Sequence, residues 1–235
     1  MDYSFSPIGK VHSCFSEKFG IPRQAGLVAE ASACIELLPP YDNSDCVREL
    51  SAFTHIWVVF VFHEHINGGW RPTVRPPRLG GNKRIGVFAA RSPFRPNPIG
   101  LSAVKLDRIT FEKNQALLHI SGVDMLDGTP VLDIKPYVPY ADCLPSARGG
   151  FAKAGPDKPF QVDFSPNARS GLKKIEQNRH PRLGRLIRQL LRSDPRPAYY
   201  KTKPKKNEFG TRLFDVEVKW RVEGKNIIVT AVEQG

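Results

Sequence analysis

Residues 54–63 read THIWVVFVFH, and their apolar centre, 56–62, is too short for the roughly 20 residues that span a bilayer. Its β-branched and aromatic side chains suit a pleated strand. Segments of the same character lie on both sides: IEL at 35–37, RIGVFAA at 84–90, IGLSAVKLDRIT at 99–110 and ALLHISGV at 116–123. Turn chemistry separates them, with NGG at 67–69, GGN at 80–82 and LDGT at 126–129. Short strands at close spacing, with no helical period between most of them, predict a β-barrel over residues 1–145.

Beyond it the pattern changes. Residues 146–160 carry Gly149, Gly150, Gly155, Pro156 and Pro159 and read as a linker. In 161–235, Leu172 and Ile175, then Leu183, Leu186, Ile187, Leu190 and Leu191, follow the three-and-four spacing of amphipathic helices, with Pro181 dividing two of them. Residues 213–222 alternate, Gly224 turns, and 226–232 return as a hairpin. The expected fold class is mainly β with an α+β appendix: a barrel followed by a small helix-pair-plus-hairpin domain.

The charge is uneven. The 235 residues carry 35 Lys and Arg against 23 Asp and Glu. Residues 1–145 are nearly balanced, with 15 basic and 14 acidic side chains, whereas 146–235 hold 20 against 9. Such a tail favours polyanions, nucleic acid first. Arg169, Lys173, Lys174, Arg179, Arg182, Arg185, Arg188 and Arg192 on the helices, with Lys201, Lys203, Lys205 and Lys206 after them, suit RNA phosphates. Cys14, Cys34, Cys46 and Cys143 form no Cys-x-x-Cys pair, and the first 20 residues lack the basic-then-apolar start of a secretory signal. A cytoplasmic protein without membrane or metal is expected. His63 and His65 would share a strand face, but no third ligand accompanies them.

Standard catalytic loops are missing: there is no Gly-x-Gly-x-x-Gly after a strand, no Walker loop and no Gly-x-Ser-x-Gly. The unusual stretch is 67–100, NGGWRPTVRPPRLGGNKRIGVFAARSPFRPNPIG. Between Glu64 and Asp107 eight basic residues meet no acid, and five of the arginines stand beside or one residue from a proline. Proline stiffens this backbone and keeps it out of helix. Rigid arginines interleaved with Trp70, Phe88 and Phe94 suit planar recognition of phosphate, carboxylate or a base face.

With PRQ at 22–24 before it, LDGTPVLDIKPYVPY at 126–140 after it and DPRPAY at 194–199 near the end, this stretch resembles the TrmO (TsaA-like) family over nearly the whole chain. The resemblance implies a homodimeric β-barrel methyltransferase that uses S-adenosyl-L-methionine. Its substrate would be N6-threonylcarbamoyladenosine at position 37 of tRNA, chiefly threonine tRNA, held by the anticodon arm. By motif, cofactor contacts fall on Pro22, Arg23, Gln24, His63, Glu64, Arg91, Leu101, Leu126, Asp127, Gly128 and Thr129. Glu64 departs from the Gln expected in many relatives.

The target nitrogen lies between an aromatic ring and a urea carbonyl, so a base that takes its proton would help directly. Asp127, Asp133, Asp194 and Tyr199 are the candidates, with Lys135 available to keep Asp133 ionised. The threonyl carboxylate calls for a bidentate arginine, from Arg91, Arg95 or Arg196, and Arg71, Arg75, Asn97 and Lys135 join the substrate-binding set. Two other classes share the charge pattern: a non-catalytic RNA-binding barrel with a basic tail, and a small-molecule hydrolase or sensor.

Overall fold

The computed structural model of the chain describes residues 2–157, 159–197 and 207–235. Eight strands form in the first part: β1 (Gly9–Ser13), β2 (Ser32–Leu37), β3 (His55–Val61), β4 (Thr73–Val74), β5 (Ile85–Gly86), β6 (Ile99–Glu112), β7 (Gln115–Ser121) and β8 (Pro130–Pro136). Six of them close into a barrel in the order β1-β2-β7-β6-β3-β8, every neighbouring pair antiparallel. Closure leaves no free strand edge.

Alternation decides which face fills the barrel. Ile56, Val58 and Phe60 of β3 are buried, as are Val104 and Leu106 of β6, Leu118 and Ile120 of β7, and Val11, Ile35 and Val131. Gly100 also points inward, and its missing Cβ makes room for the Phe60 ring, whose atoms would lie 2.3 to 2.7 Å from it. The intervening residues Trp57, Val59 and Val61 face the outer wall, where the register sets Val61 opposite Ile99 and Val59 opposite Leu101. Ile99 and Leu101 are 39% and 55% exposed, so the apolar run of β3 continues into an uncovered apolar strip.

The segment expected as a strand at 84–90 pairs over only two residues, β4 against β5, and then turns as a 3-10 helix at Val87–Ala89. Prolines around it leave no continuous ladder partner. A four-residue helix, α1 (Pro139–Asp142), follows the barrel.

The second part contains β9 (Gln161–Phe164), α2 (Pro166–Asn178), α3 (Leu183–Arg192), β10 (Glu208–Leu213), β11 (Val216–Glu223) and β12 (Asn226–Gln234). Ser165 caps α2 by accepting the Ala168 amide hydrogen, with Pro166 at the first helical position. The two helices part at Arg182, which takes a φ of +75° just past Pro181. The expected hairpin is β11–β12, widened into a four-stranded sheet, β10-β11-β12-β9, in which β9 runs parallel to β12. Leu183, Leu186, Ile187, Leu190 and Leu191 of α3 are buried in a cluster that also holds Phe15, Val28 and Trp220, so barrel and sheet share one continuous core.

Polar contacts follow the same seam. The Phe214 amide donates to the Cys14 carbonyl (2.8 Å), the Arg212 amide to Glu17 Oε1 (3.0 Å), and the Glu30 amide to Gln189 Oε1 (3.1 Å). Gly20, at φ +96°, lets the chain pass so near β10 that a Cβ there would meet Thr211 Cγ2 at 2.8 Å. No helix among the described residues is long and apolar enough to cross a membrane.

Candidate active site

One cavity, of about 470 Å³, opens where the turn after β1, the end of β3 and the loop before β8 meet. Ser16, Glu17, Lys18 and Phe19 line one side, His63 and Glu64 a second, Leu126 and Asp127 a third. Four residues expected to contact cofactor, separated by more than 60 positions in sequence, thus face one space. The loop before β8 is fixed by its own bonds: the Gly128 amide donates to the Val11 carbonyl (2.8 Å), and the buried Thr129 hydroxyl to the Leu126 carbonyl (2.7 Å). Asp127 Oδ1 accepts the Ser13 amide hydrogen at 2.9 Å, which orients its carboxylate. Gly128 and Thr129 therefore shape the loop.

A second group ties neighbouring segments together. Arg91 donates to the Gln24 side-chain oxygen. The Ser102 hydroxyl, buried inside the barrel, donates to Asp124 Oδ1 at 2.6 Å. Burial pushes the Asp124 carboxyl up from its ordinary value, opposed by the Ser102 hydroxyl, its own and the Ala25 backbone amides, and the charge of Arg91. Asp124 thus touches Ser102 and Ala25, each next to a residue expected at the cofactor, Leu101 and Gln24, and faces Arg91, which is itself one. Burial pulls the Arg23 guanidinium down, with Asp194 opposing, while Pro22 is partly buried beside it.

The outer wall carries a third group. Val59 lies between Leu101 of β6 and Asp133 of β8 in one row, and Trp57 lies opposite Lys135 in the next. Lys135 Nζ stands 2.9 Å from Asp133 Oδ2, and Asp133 Oδ1 accepts the Ile134 amide hydrogen. Leu101 is thus apart from the cavity-lining set, on the outer wall beside the Asp133–Lys135 pair.

In the proline-rich loop, Arg71 lies over the Phe94 ring at 4.5 Å and Arg95 near Phe88 at 5.8 Å. Arg95 also donates to the Ala90 carbonyl at 2.6 Å. Arg75 and Asn97 are exposed, as are Trp70 and Phe88. Asp194 and Arg196 sit elsewhere: Arg196 Nε is 2.7 Å from Asp194 Oδ1, their side chains 9% and 3% exposed, and Arg196 lies within cation–π reach of Phe160 and Phe209. That pair faces inward. Tyr199 and Lys201, Lys203, Lys205 and Lys206 lie outside the described residues.

A groove of about 650 Å³ runs between α2 and α3. Arg169, Lys173, Arg182, Arg185 and Arg188 line it, against Glu176. Glu30 reaches Arg182 and Arg185 at 3.6 and 3.9 Å. No cluster of three or more metal-ligating side chains occurs among the described residues.

Lys18, Ser102 and Asp124 were not legible in the sequence as site residues. Lys18 sits in an unpatterned turn, and Asp124 becomes notable only because the Ser102 hydroxyl and the Ala25 amide reach it in the fold.

Comparison with known proteins supplies the family. The model of the tRNA-methyltransferase O N-terminal domain matches residues 10–143, and that of the TrmO C-terminal domain matches 157–235. The tRNA (adenine(37)-N6)-methyltransferase of Escherichia coli (strain K12) is 46% identical over 231 residues, 98% of each chain. A putative S-adenosylmethionine-dependent methyltransferase, RcsF, of Pseudomonas aeruginosa PAO1 is 46% identical over 97% of this chain and 96% of its own. A crystal structure of TrmO from Pseudomonas aeruginosa superposes with a TM-score of 0.82 at 40% identity, covering 99% of this chain and 98% of that one.

Proposed function

The chain belongs to the TrmO family, and from that premise we propose that it methylates the exocyclic nitrogen of N6-threonylcarbamoyladenosine at position 37 of threonine tRNA, using S-adenosyl-L-methionine. The observation that carries the reading is the convergence of His63, Glu64, Leu126 and Asp127 on one cavity of about 470 Å³. Its carboxylates fit a cationic cofactor with a ribose diol, and Lys18 and His63 add donors.

When bound, the cofactor supplies an electrophilic methyl group, and the transfer needs no metal. The protein's part is positioning and exclusion of water. Glu64 accepts from ribose hydroxyls, while Arg91, held by Gln24 and facing Asp124, closes the neighbouring side. Asp133, steadied by Lys135, accepts the proton of the target nitrogen. Arg71, Arg75, Arg95 and Asn97 grip the threonyl carboxylate and its neighbours, and the exposed rings of Trp70 and Phe88 stack splayed loop bases. The α2–α3 groove takes phosphates of the anticodon arm.

The protein works in the cytoplasm as a homodimer. Support for the dimer is the apolar outer wall of Val59, Val61, Ile99 and Leu101, which a second copy would cover. Covering it would enclose Asp133 beside Leu101, so that the base works at the subunit boundary.

The deciding experiment is transfer of labelled methyl from S-adenosyl-L-methionine to threonine tRNA bearing the threonylcarbamoyl group, beside the same tRNA without it. Labelling of the modified RNA alone is expected. Equal labelling would remove the carboxylate-recognition role, and no labelling with the RNA still bound would favour a non-catalytic RNA-binding barrel.

A further inference from the structure

The cavity at the barrel end holds three carboxylates, and their partners differ. Asp127 accepts the Ser13 amide hydrogen and Glu17 accepts that of Arg212, so both are fixed to backbone. Glu64 instead faces Lys18, whose Nζ lies 3.3 Å from Glu64 Oε2 and 3.4 Å from the Glu64 carbonyl. Both side chains are about half exposed, at 53% and 51%, and both distances are longer than a strong charge-assisted bond. The pair is a loose one across the cavity, ready to exchange partners at little cost.

The position of Lys18 is nevertheless well defined by its neighbours. Glu17 is tied to β10, Phe19 packs against the core, and Gly20 passes against Thr211 and Leu190. The C-terminal sheet therefore sets where the Lys18 backbone stands. Among the described residues lining the cavity, Lys18 is the only lysine, and no arginine joins it.

We propose that Lys18 binds the carboxylate of the cofactor's amino-acid end. This rests on the reading that the cavity holds S-adenosyl-L-methionine. On binding, Lys18 leaves Glu64 for the guest carboxylate, and Glu64 turns to the ribose diol. The same contact makes the pocket selective for the intact amino-acid end over a chain that lacks the carboxylate. It also gives Glu64 a role, because the carboxylate holds Lys18 over the cavity until the cofactor arrives.

The test compares S-adenosyl-L-methionine with its decarboxylated form, by calorimetric titration and thermal stabilisation of the full chain. Wild type, Lys18→Met, Lys18→Arg and Glu64→Gln are measured side by side. A hydrogen bond to a charged group predicts that Lys18→Met weakens S-adenosyl-L-methionine by about tenfold or more. Binding of the decarboxylated form should stay within about twofold, so the preference disappears. Lys18→Arg and Glu64→Gln should both keep the preference. Equal weakening of both ligands by Lys18→Met, or weakening of neither, would overturn the proposal, as would loss of the preference in Glu64→Gln. A wild-type protein that binds neither ligand would instead overturn the cofactor reading itself, and the proposal with it. Because Lys18 is half exposed, unliganded Lys18→Met should melt with the wild type, which separates lost binding from lost folding.

Discussion

The Ser102 hydroxyl reaches across the barrel end to the Asp124 carboxylate at 2.6 Å, joining the inner face of β6 to the segment that leads into the cavity loop. Ser102 is 5% exposed, so the bond forms largely out of water, and burial raises the proton affinity of Asp124. The carboxylate also draws the Ala25 amide and faces Arg91. Its place suits organisation of the segments around the barrel end more than packing.

Asp124→Asn separates those two roles. A carboxyl whose folded pKa is raised binds more protons folded than unfolded, so its charge costs stability as pH rises past its ordinary 3.8. The amide carries no such cost and can still accept from Ser102. Asp124→Asn should be at least as stable as wild type at pH 8, and the decline of wild-type stability above pH 4 should flatten. Methyl transfer should still fall, with KM for the cofactor rising about tenfold as Arg91 loses the charge it faces. Denaturant titrations across pH and steady-state kinetics give both numbers, and a clear loss of stability in Asp124→Asn would contradict the assignment.

Gly100→Ala tests the barrel core. A methyl group there would meet the Phe60 ring at less than 3 Å, and the pairing that sets Phe60 directly opposite Gly100 holds the backbone in place. Overpacking of this kind costs about 1–3 kcal/mol. Phe60→Leu in the same chain should recover part of it, so the double mutant should be more stable than the sum of single effects predicts. Strict additivity would show that Phe60 does not fill the space Gly100 leaves.

How far such contacts could be read beforehand varies along the chain. β3 and β6 were legible because their β-branched and aromatic runs exceed what a loop carries, and α3 because five buried positions keep helical spacing. β1 and β8 were not, because GKVHS is short and half polar, and β8 puts Asp133 and Lys135 on the outer wall. Motif resemblance reached His63 and Asp127, but nothing local marks Lys18 or Asp124. Their significance depends on which distant turn closes over them, and barrel register decides that.

Cysteine chemistry follows from burial alone. The Cys14 thiol is wholly buried, and desolvation pushes its pKa up to about 12, leaving almost no thiolate at neutral pH. Cys46 and Cys143 are exposed. Alkylation of the native protein at pH 7.5, followed by peptide mass mapping, should label Cys46 and Cys143 and spare Cys14 until denaturant is added. Early labelling of Cys14 would mean that the seam between barrel and sheet opens readily.

In the α2–α3 groove, Lys173 and Arg185 can be reversed to Glu without touching the cavity at the barrel end, since neither is among the residues that line it. If the groove holds phosphates, tRNA affinity should drop, and the slope of its logarithm against the logarithm of salt should shrink by about 0.7–0.9 for each phosphate contact removed. Thermal stabilisation by S-adenosyl-L-methionine should be unchanged. An unaltered salt slope would remove this groove from the RNA path.

The last test concerns Arg196, which sequence context offers as a substrate ligand and which lies 2.7 Å from Asp194 beneath the surface. Asp194 adopts a φ of +53°, Arg196 Nη2 also reaches Asp194 Oδ2 at 3.2 Å, and the guanidinium lies near the faces of Phe160 and Phe209. A forked contact of this kind satisfies both groups out of water. Removing one partner leaves a buried charge, so Arg196→Ala should cost about 3–5 kcal/mol, whereas Arg196→Lys, which keeps the charge and loses the fork, should cost less. A substrate-binding arginine behaves differently: its loss would raise KM for the modified tRNA while leaving the melting temperature in place. Measuring both for Arg196→Ala separates the two roles. Unfolding at lower denaturant with KM unchanged in the folded fraction would make the pair a structural lock beside Arg23, through which the C-terminal unit holds the 22–25 segment in place.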